Sequence, residues 1–338
     1  MIRVALDAMG GDHAPAAEID GAALALRELP NEFSLTLVGQ PAAIEEHLAR
    51  HPDLDRSRLE IVAATEVIGM AEKPLSAVRR KPDSSLVVGL GLHRDGVVDA
   101  FVSAGNTGAS LAASTILLGL HDGVDRATVA SLFPAAEGPV LVLDAGANVD
   151  CSVKELVNFA YLGTIYMRDV IGRSNPKVGL LNVGEEDEKG NAVVREAHRV
   201  LRDLPRLNYV GNIEGRDIAV PHPRHGRVDV VVCDGFVGNV VLKFYESMGR
   251  LVGSLLHRES PGLLESEAMK PLMRFLDYSQ YGGGPLLGVR GVPIICHGSS
   301  TANAIKNAIK KAVESVRGGL SEHIAAEFAL GHDKPVTP

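Results

Sequence analysis

VVDAFVSAGNTGASLAASTILLGL, residues 97–120, decides the fold. It begins as an apolar run containing Phe101 and Val102, breaks at Ser103-Ala104-Gly105-Asn106-Thr107-Gly108 and resumes as an Ala/Ser/Leu-rich segment suited to a helix. This order predicts strand, tight turn and helix. Small residues are needed where the chain reverses, and Gly105 and Gly108 allow backbone angles closed to larger residues. Asn106 or Thr107 can cap the helix, and the N–H groups of its first turn then form a place for an anion such as phosphate. An ordinary βα turn reads the same way, so the weight falls on how often the pattern recurs.

It recurs along the whole chain. IRVALD (Ile2 to Asp7) ends in AMGGDHAP, and Pro15 opens a helix to Leu29. FSLTLVG and LEIVAA are strands flanking a helix from Pro41 to Arg50, and a helix from Ser84 to His93 leads into the central stretch. GPVLVLDAG precedes a long helix from Ser152 to Ile171, and KVGLLNVG and LNYVGN bracket one from Asn191 to Leu204. VDVVVCDGFVGN feeds a helix through Lys243, and VPIICHGSS feeds Thr301 to Val316. Near-continuous apolar strands alternating with helices predict an α/β fold with a mostly parallel sheet covered by helices on both faces.

The polar residues of these units fall at the C-terminal ends of the strands: Asp7, Asn106, Asp144, Asn148, Asn182, Asp234, Asn239, His297 and Ser299. Open α/β sheets bind ligands at that edge. Each residue taken singly reads first as a helix cap or turn former; together they predict a lined cleft. The balance of 34 basic and 42 acidic residues leaves a net charge of -8, and Trp is absent, which argues against nucleic-acid binding by charge or by stacking. Cys151, Cys233 and Cys296 are sparse and unpaired in sequence, as in a reducing cytoplasm. No signal peptide or membrane span is expected. P-loop, dinucleotide, zinc-protease, nucleophile-elbow and kinase signatures are all missing. Cys233 and Cys296 sit in apolar strands, where buried inert thiols are expected. Many anion-friendly turns without an activated nucleophile suit a reaction in which the ligand, inorganic phosphate, attacks an acyl carbon itself.

Seven ordered blocks carry a family resemblance: DAMGGDHAP (7–15), VSAGNTGA (102–109), DAGAN (144–148), GLLNVGEEDEKGN (179–191), GNIEGRD (211–217), DVVVCDGFVGNVVLK (229–243) and YGGGPLLGV with IICHGSS (281–300). Each is glycine-rich and weak alone, but the set is specific. The chain resembles the bacterial phosphate acyltransferases of phospholipid synthesis. That resemblance implies one α/β domain over residues 1–338, similar to isocitrate and isopropylmalate dehydrogenases and to phosphate acetyltransferases. It implies a reaction of long-chain acyl-[acyl carrier protein] with inorganic phosphate to give acyl phosphate, which feeds glycerol-3-phosphate acylation. It also implies a homodimer, no cofactor or metal, and acyl carrier protein, phosphate and a downstream glycerol-3-phosphate acyltransferase as partners.

Joined to the strand-end pattern, the resemblance suggests roles. Phosphate is expected at the Gly105-Asn106-Thr107-Gly108 turn with Ser103 and Asn106 as donors, and at the Gly298-Ser299-Ser300 helix start. Lys189 and Lys243 are the candidate cations, Lys189 being equally a surface lysine. Asp234 and Asn239 would orient phosphate or thioester, unless they cap a helix, and His297 would protonate the departing thiolate. Asn148 joins the substrate-binding set, and Asp7, Gly10, Gly11 and Asp12 shape the cleft floor. Residues 240–278 read as a helical hairpin, either dimer interface or a tip that meets a membrane surface or the acyl chain. Docking of an acidic carrier protein needs a basic patch; Arg79, Arg80 and Lys81, Arg216, Arg224 and Arg227, and Lys306, Lys310 and Lys311 are the three candidates, each equally a solvated face.

Overall fold

The strands divide between two sheets. The computed structural model describes residues 1–259, 262, 266, 267, 269, 273 and 282–331. In chain order the elements are β1 (Ile2–Asp7), α1 (Ala16–Glu28), β2 (Phe33–Gly39), α2 (Pro41–Leu48), β3 (Leu59–Ala63), α3 (Pro74–Arg80), α4 (Ser85–Arg94), β4 (Ala100–Ser103) and α5 (Thr107–Leu117). They continue with β5 (Thr128–Val129), β6 (Ser131–Phe133), β7 (Val140–Leu143), α6 (Val153–Asp169), β8 (Lys177–Leu181), α7 (Ala192–Arg202), β9 (Asn208–Ile213), β10 (Val230–Val232) and α8 (Gly235–Glu259). The last described are β11 (Gly284–Leu287), β12 (Pro293–Ile295), α9 (Ala302–Arg317) and α10 (Leu320–Ala329).

One sheet has seven strands in the order β3-β2-β1-β4-β12-β11-β5 and the other five in the order β6-β7-β10-β8-β9. Pairing is parallel except where β11 meets β12 and β5, and where β6 meets β7. The sheets are joined where the chain passes from β5 to β6 through Ala130, whose N–H donates to Pro285 O at 3.0 Å. The expected alternation holds, with most helix ends within a residue or two of the sequence reading. Caps explain several starts: Ser84 accepts from Val87 N, Ser152 and Glu155 form a reciprocal capping box, and Asn191 and Thr301 accept from the N–H groups of Val194 and Ala304.

Both sheets are covered on both faces. In the first, β1, β2, β4 and β12 are buried by Ile19, Ala22 and Leu26 of α1 and Ile305, Ala308 and Ile309 of α9. Its other face packs on Leu86 and Leu90 of α4 and Ala109 and Ala113 of α5. In the second, α6 is buried almost all round by Phe159, Tyr161, Leu162 and Tyr166. Val241, Leu242 and Tyr245 of α8 pack on the opposite face. Helix α8 covers the first stretch of the hairpin expected over 240–278, and the rest of that expectation falls for the most part outside the described residues. Among the described residues no helix is long and apolar enough to cross a membrane.

Candidate active site

In the first sheet, parallel pairing sets the C-terminal ends of β1, β4 and β12 side by side. The loops that follow interlock. Asp7 is buried at the end of β1, where its carboxylate accepts from Ser103 Oγ at 2.7 Å and Met9 N at 3.2 Å, while Ser103 Oγ accepts from Gly105 N at 3.0 Å. A Cβ on Gly10 would lie 2.4 Å from the Asp7 carboxylate and 2.9 Å from Gly105 N. Asp12 N donates to Gly298 O at 2.8 Å, tying the first loop to the third. Beneath Gly11 lies Glu18 of α1; burial, aided by the negative charge of Asp7, pushes its carboxyl up to about 8, and burial also raises Asp7 despite its hydrogen bonds.

Asn106 caps α5, accepting from Ala109 N at 3.0 Å, and its Nδ2 lies 2.9 Å from Met70 O, 3.1 Å from Glu72 O and 3.4 Å from Gly69 O. Both ends of the amide are therefore committed to protein. Pro74 of α3 covers Gly108, while Thr107 is exposed beside it. Asn106→Ala removes the cap and the ties to the 69–72 loop, so it should lower stability by about 1–2 kcal/mol. A urea-unfolding midpoint equal to the parent's would contradict this structural role.

In the second sheet β7, β10 and β8 end side by side. Asp144 is fully buried and accepts from Gly146 N and Ala147 N, both at 3.1 Å, and from Asn148 N and Nδ2 at 2.6 and 2.8 Å. Asn148 Nδ2 also donates to Ala127 O at 2.8 Å, so Asn148 braces the DAGAN loop from within. Helix α8 starts directly against that loop. Gly235 N donates to Asn148 O at 2.7 Å, and a Cβ on Gly238 would lie 1.8 Å from Asp144 O. Asp234 Oδ1 accepts from Val237 N at 2.8 Å, the capping alternative for this residue.

Helix α8 carries the chain from the second sheet to the strand ends of the first. Asn239, Lys243, Glu246, Arg250 and Gly253 recur at three- and four-residue steps along one face. Asn239 lies beside Gly146, and one turn on the Lys243 Nζ is 3.0 and 3.2 Å from the Glu246 carboxylate oxygens and 3.2 Å from His297 Nε2. His297 Nδ1 is 2.8 Å from Ser299 Oγ. Ser299 N also lies 3.3 Å from Nδ1 as a donor, so the ring proton sits either on Nδ1, donating to Ser299 Oγ while Nε2 accepts from the Lys243 ammonium, or on Nε2, with Nδ1 accepting from Ser299.

These groups edge a cavity of about 510 Å³, lined by Lys243, Glu246, Gly249, Arg250 and Gly253 of α8, Met273, Gly282 and Gly283, and His297, Ser299, Ser300, Thr301 and Ala304 at the start of α9. The cavity thus combines a helix N-terminus, two cationic side chains, an imidazole and a glycine wall, a set suited to holding an anion beside a polarised carbonyl. Of the expected site residues, Lys243, His297, Ser299 and Ser300 meet here, with Asp12 against Gly298 and Asn239 a turn away on α8. Asp7, Ser103, Asn106 and Asn148 instead hold the loops. Gly105 shares that role, since its N–H is spent on Ser103.

Lys189 lies on the exposed 182–191 loop, apart from the large cavity. A smaller cavity of about 180 Å³ next to that loop is lined by Asn182, Gly190, Asn191, Asp234 and apolar residues. Glu246, Arg250, Gly282, Gly283 and Thr301 were not singled out by sequence; the signal for the first two was the α8 register set by Lys243. Burial pushes the Cys151 and Cys296 thiols up to about 12 and Cys233 well above its ordinary range, so none is a thiolate at neutral pH. Among the described residues no group of three or more His, Cys, Asp or Glu side chains is arranged to hold a metal ion.

The basic clusters are largely spent within the chain. Arg80 and Lys81 pair with Glu72, Arg216 and Arg224 with Glu185, Arg227 with Asp229, Lys306 with Glu28 and Lys310 with Glu314. Lys311 is buried and so leaves the third docking cluster altogether, because the polar carbonyls that satisfy it lie inside the protein.

By overall shape the chain is similar to a phosphotransacetylase from Streptococcus pyogenes (TM-score 0.66, 15% identity, 94% of each chain covered). It is also similar to a 4-hydroxythreonine-4-phosphate dehydrogenase from Klebsiella pneumoniae (TM-score 0.52, 13% identity, 94% of this chain and 98% of the other). These likenesses establish a dehydrogenase-like α/β fold. In sequence it is 48% identical to a phosphate acyltransferase of Heliobacterium modesticaldum, covering 96% of this chain and 98% of the relative. It is 46% identical to one from Geobacter sulfurreducens, covering 97% and 94%. The model of the fatty acid synthesis protein family matches residues 2–323. The chain therefore belongs to the fatty acid synthesis protein family, and within it to the phosphate acyltransferases.

Proposed function

We propose that the chain transfers a long-chain acyl group from acyl carrier protein to inorganic phosphate in the large cavity beside α8, producing acyl phosphate for glycerol-3-phosphate acylation. The observation that carries this reading is the convergence of the α9 N-terminus, Lys243 and His297 on one cavity. Phosphate would sit at Ser299 and Ser300 with Lys243 neutralising it, which favours this turn over the α5 turn, where Asn106 and Gly105 N are already used. A hydrogenphosphate oxygen attacks the thioester carbon, the carbonyl becomes a tetrahedral oxyanion, and its collapse breaks the C–S bond. The proton lost by hydrogenphosphate reaches the departing sulfur through His297, so the step needs no net proton. Arg250, a further two turns along α8, offers a second cation to the incoming substrate.

Pairing of two copies, or contact with a membrane surface, is supported by the apolar side chains that α8 leaves exposed, including Phe236 (63%) and Phe244 (64%). Incubation of the protein with long-chain acyl carrier protein and phosphate should yield hydroxylamine-trappable acyl phosphate and free thiol in equal amounts. Thiol release that is independent of phosphate would make the chain a thioesterase and reject the proposal.

A further inference from the structure

Lys311 is a buried lysine for which the chemistry above has no use. It sits on α9, 6% exposed, and its Nζ donates to Gly283 O at 2.8 Å and Gly282 O at 3.3 Å. Those two glycines form the wall of the large cavity opposite α8. The wall is pressed against backbone on its inner side: a Cβ on Gly282 would lie 2.5 Å from Ala308 N, and one on Gly283 2.5 Å from Ile295 O and 2.8 Å from Cys296 Sγ. Gly282 also has φ +54, in the left-handed region. The Gly282–Gly283 peptide is trans and planar, so its N–H points opposite to its C=O. A carbonyl drawn inward to Lys311 thus turns the Gly283 N–H outward, toward the cavity.

We infer that Lys311 is a positioning residue: by clamping the Gly282 and Gly283 carbonyls inward it presents the Gly283 N–H to the oxyanion of the tetrahedral adduct. The inference rests on the acyl-transfer reading and adds to it the donor that reading lacks. Two inward carbonyls suit an ammonium, which supplies several donors from a single buried point. An oxyanion donor must be aimed before the charge develops, which is what a clamp on the far side of the same peptide provides. Burial pulls the Lys311 ammonium down to about 8, opposed by the negative charge of Glu314 on α9 and, only once ionised, by the Cys296 thiol at the end of β12, which Glu18 of α1 helps to keep neutral. The clamp should therefore loosen in alkaline solution.

The test compares Lys311→Met and Lys311→Arg with the parent by steady-state kinetics, thermal unfolding and hydrogen exchange. Lys311→Met should lower kcat by about ten- to a hundredfold while each KM stays within about twofold, because the lost interaction is made only in the transition state. Its exchange across residues 282–287 should quicken without a matching fall in Tm. The parent's kcat should decline above about pH 8, and Lys311→Arg, which keeps its charge, should remove that decline. Parental kcat in Lys311→Met, loss of kcat only in step with Tm, or an alkaline decline unchanged in Lys311→Arg would each overturn the inference. A parent protein without phosphate-dependent turnover would reject the acyl-transfer reading instead. Exchange over 282–287 would then still decide the clamp, with unchanged exchange in Lys311→Met overturning it.

Discussion

Gly238→Ala should destabilise the protein by about 3 kcal/mol or more, at or beyond the upper end of overpacking costs. The new Cβ would fall 1.8 Å from Asp144 O and 3.1 Å from Cys233 Sγ. Neither atom can easily retreat. Asp144 N donates to Cys233 O at 2.9 Å, Cys233 N donates to Leu143 O, and the Asp144 carboxylate holds the turn behind it through Gly146, Ala147 and Asn148. Helix α8 must therefore move away from the loop, and as it moves it carries Lys243 off His297 and opens the cavity. Stability and activity should fall together. Gly91→Ala, on α4, is the control: its Cβ meets nothing within 4 Å, so the substitution should be neutral or stabilise by about 0.5–1 kcal/mol through helix propensity. Urea unfolding of the two variants checks both signs, and a Gly238→Ala protein with the parent's midpoint would contradict this packing.

That contact also shows what the sequence could and could not convey. DGFVGN was legible as a strand end feeding a helix, and so were the other βα turns, because an apolar run broken by Asp, Asn or Gly is a local signal. What the polar residues at those turns do depends on neighbours distant in sequence. Ser103 reads in the sequence as a phosphate donor and Asp7 as part of the cleft floor, yet they hydrogen-bond each other across two loops at 2.7 Å. Asn106 is spent on the carbonyls of residues 69–72, and Asp234 on the first turn of α8. Lys243 and His297 carry no stronger local signal, but they meet across 54 positions because α8 crosses from one sheet to the other. The division into two sheets was hidden for the same reason: Thr128–Val129 and Ser131–Phe133 are too short to show a period, and only Ala130 between them marks the crossing. Glycines 282–284 entered the sequence reading only as part of a glycine-rich block, and their role as a wall shows in the packing, since a Cβ on any of them would come within 2.5 Å of backbone.

Lys243→Met should lower kcat/KM for phosphate by about a hundred- to a thousandfold, the scale for removing a cation that clamps a reacting phosphate. The expectation follows from position. Lys243 is the cation of α8 that touches both the imidazole of His297 and, through it, the Ser299 hydroxyl at the α9 N-terminus. Removing it leaves phosphate with the helix N-terminus and the serines alone, so KM for phosphate should rise and kcat should fall. KM for the acyl carrier protein, the acyl donor of the proposed reaction, should change little. The Lys243–Glu246 pair is an i,i+3 pair on one helix face with the lysine side chain half-exposed and the glutamate mostly covered, so its loss should cost the fold no more than about 1 kcal/mol. Stability and activity would thus separate in Lys243→Met, the reverse of Gly238→Ala. Glu246→Gln supplies the second arm: it frees Lys243 of its carboxylate partner while leaving the ammonium against His297, and should keep activity within about tenfold of the parent. A Lys243→Met protein that keeps its phosphate dependence, or one in which both KM values rise together, would move the phosphate to the 182–191 loop, where Lys189 is the cation to substitute next.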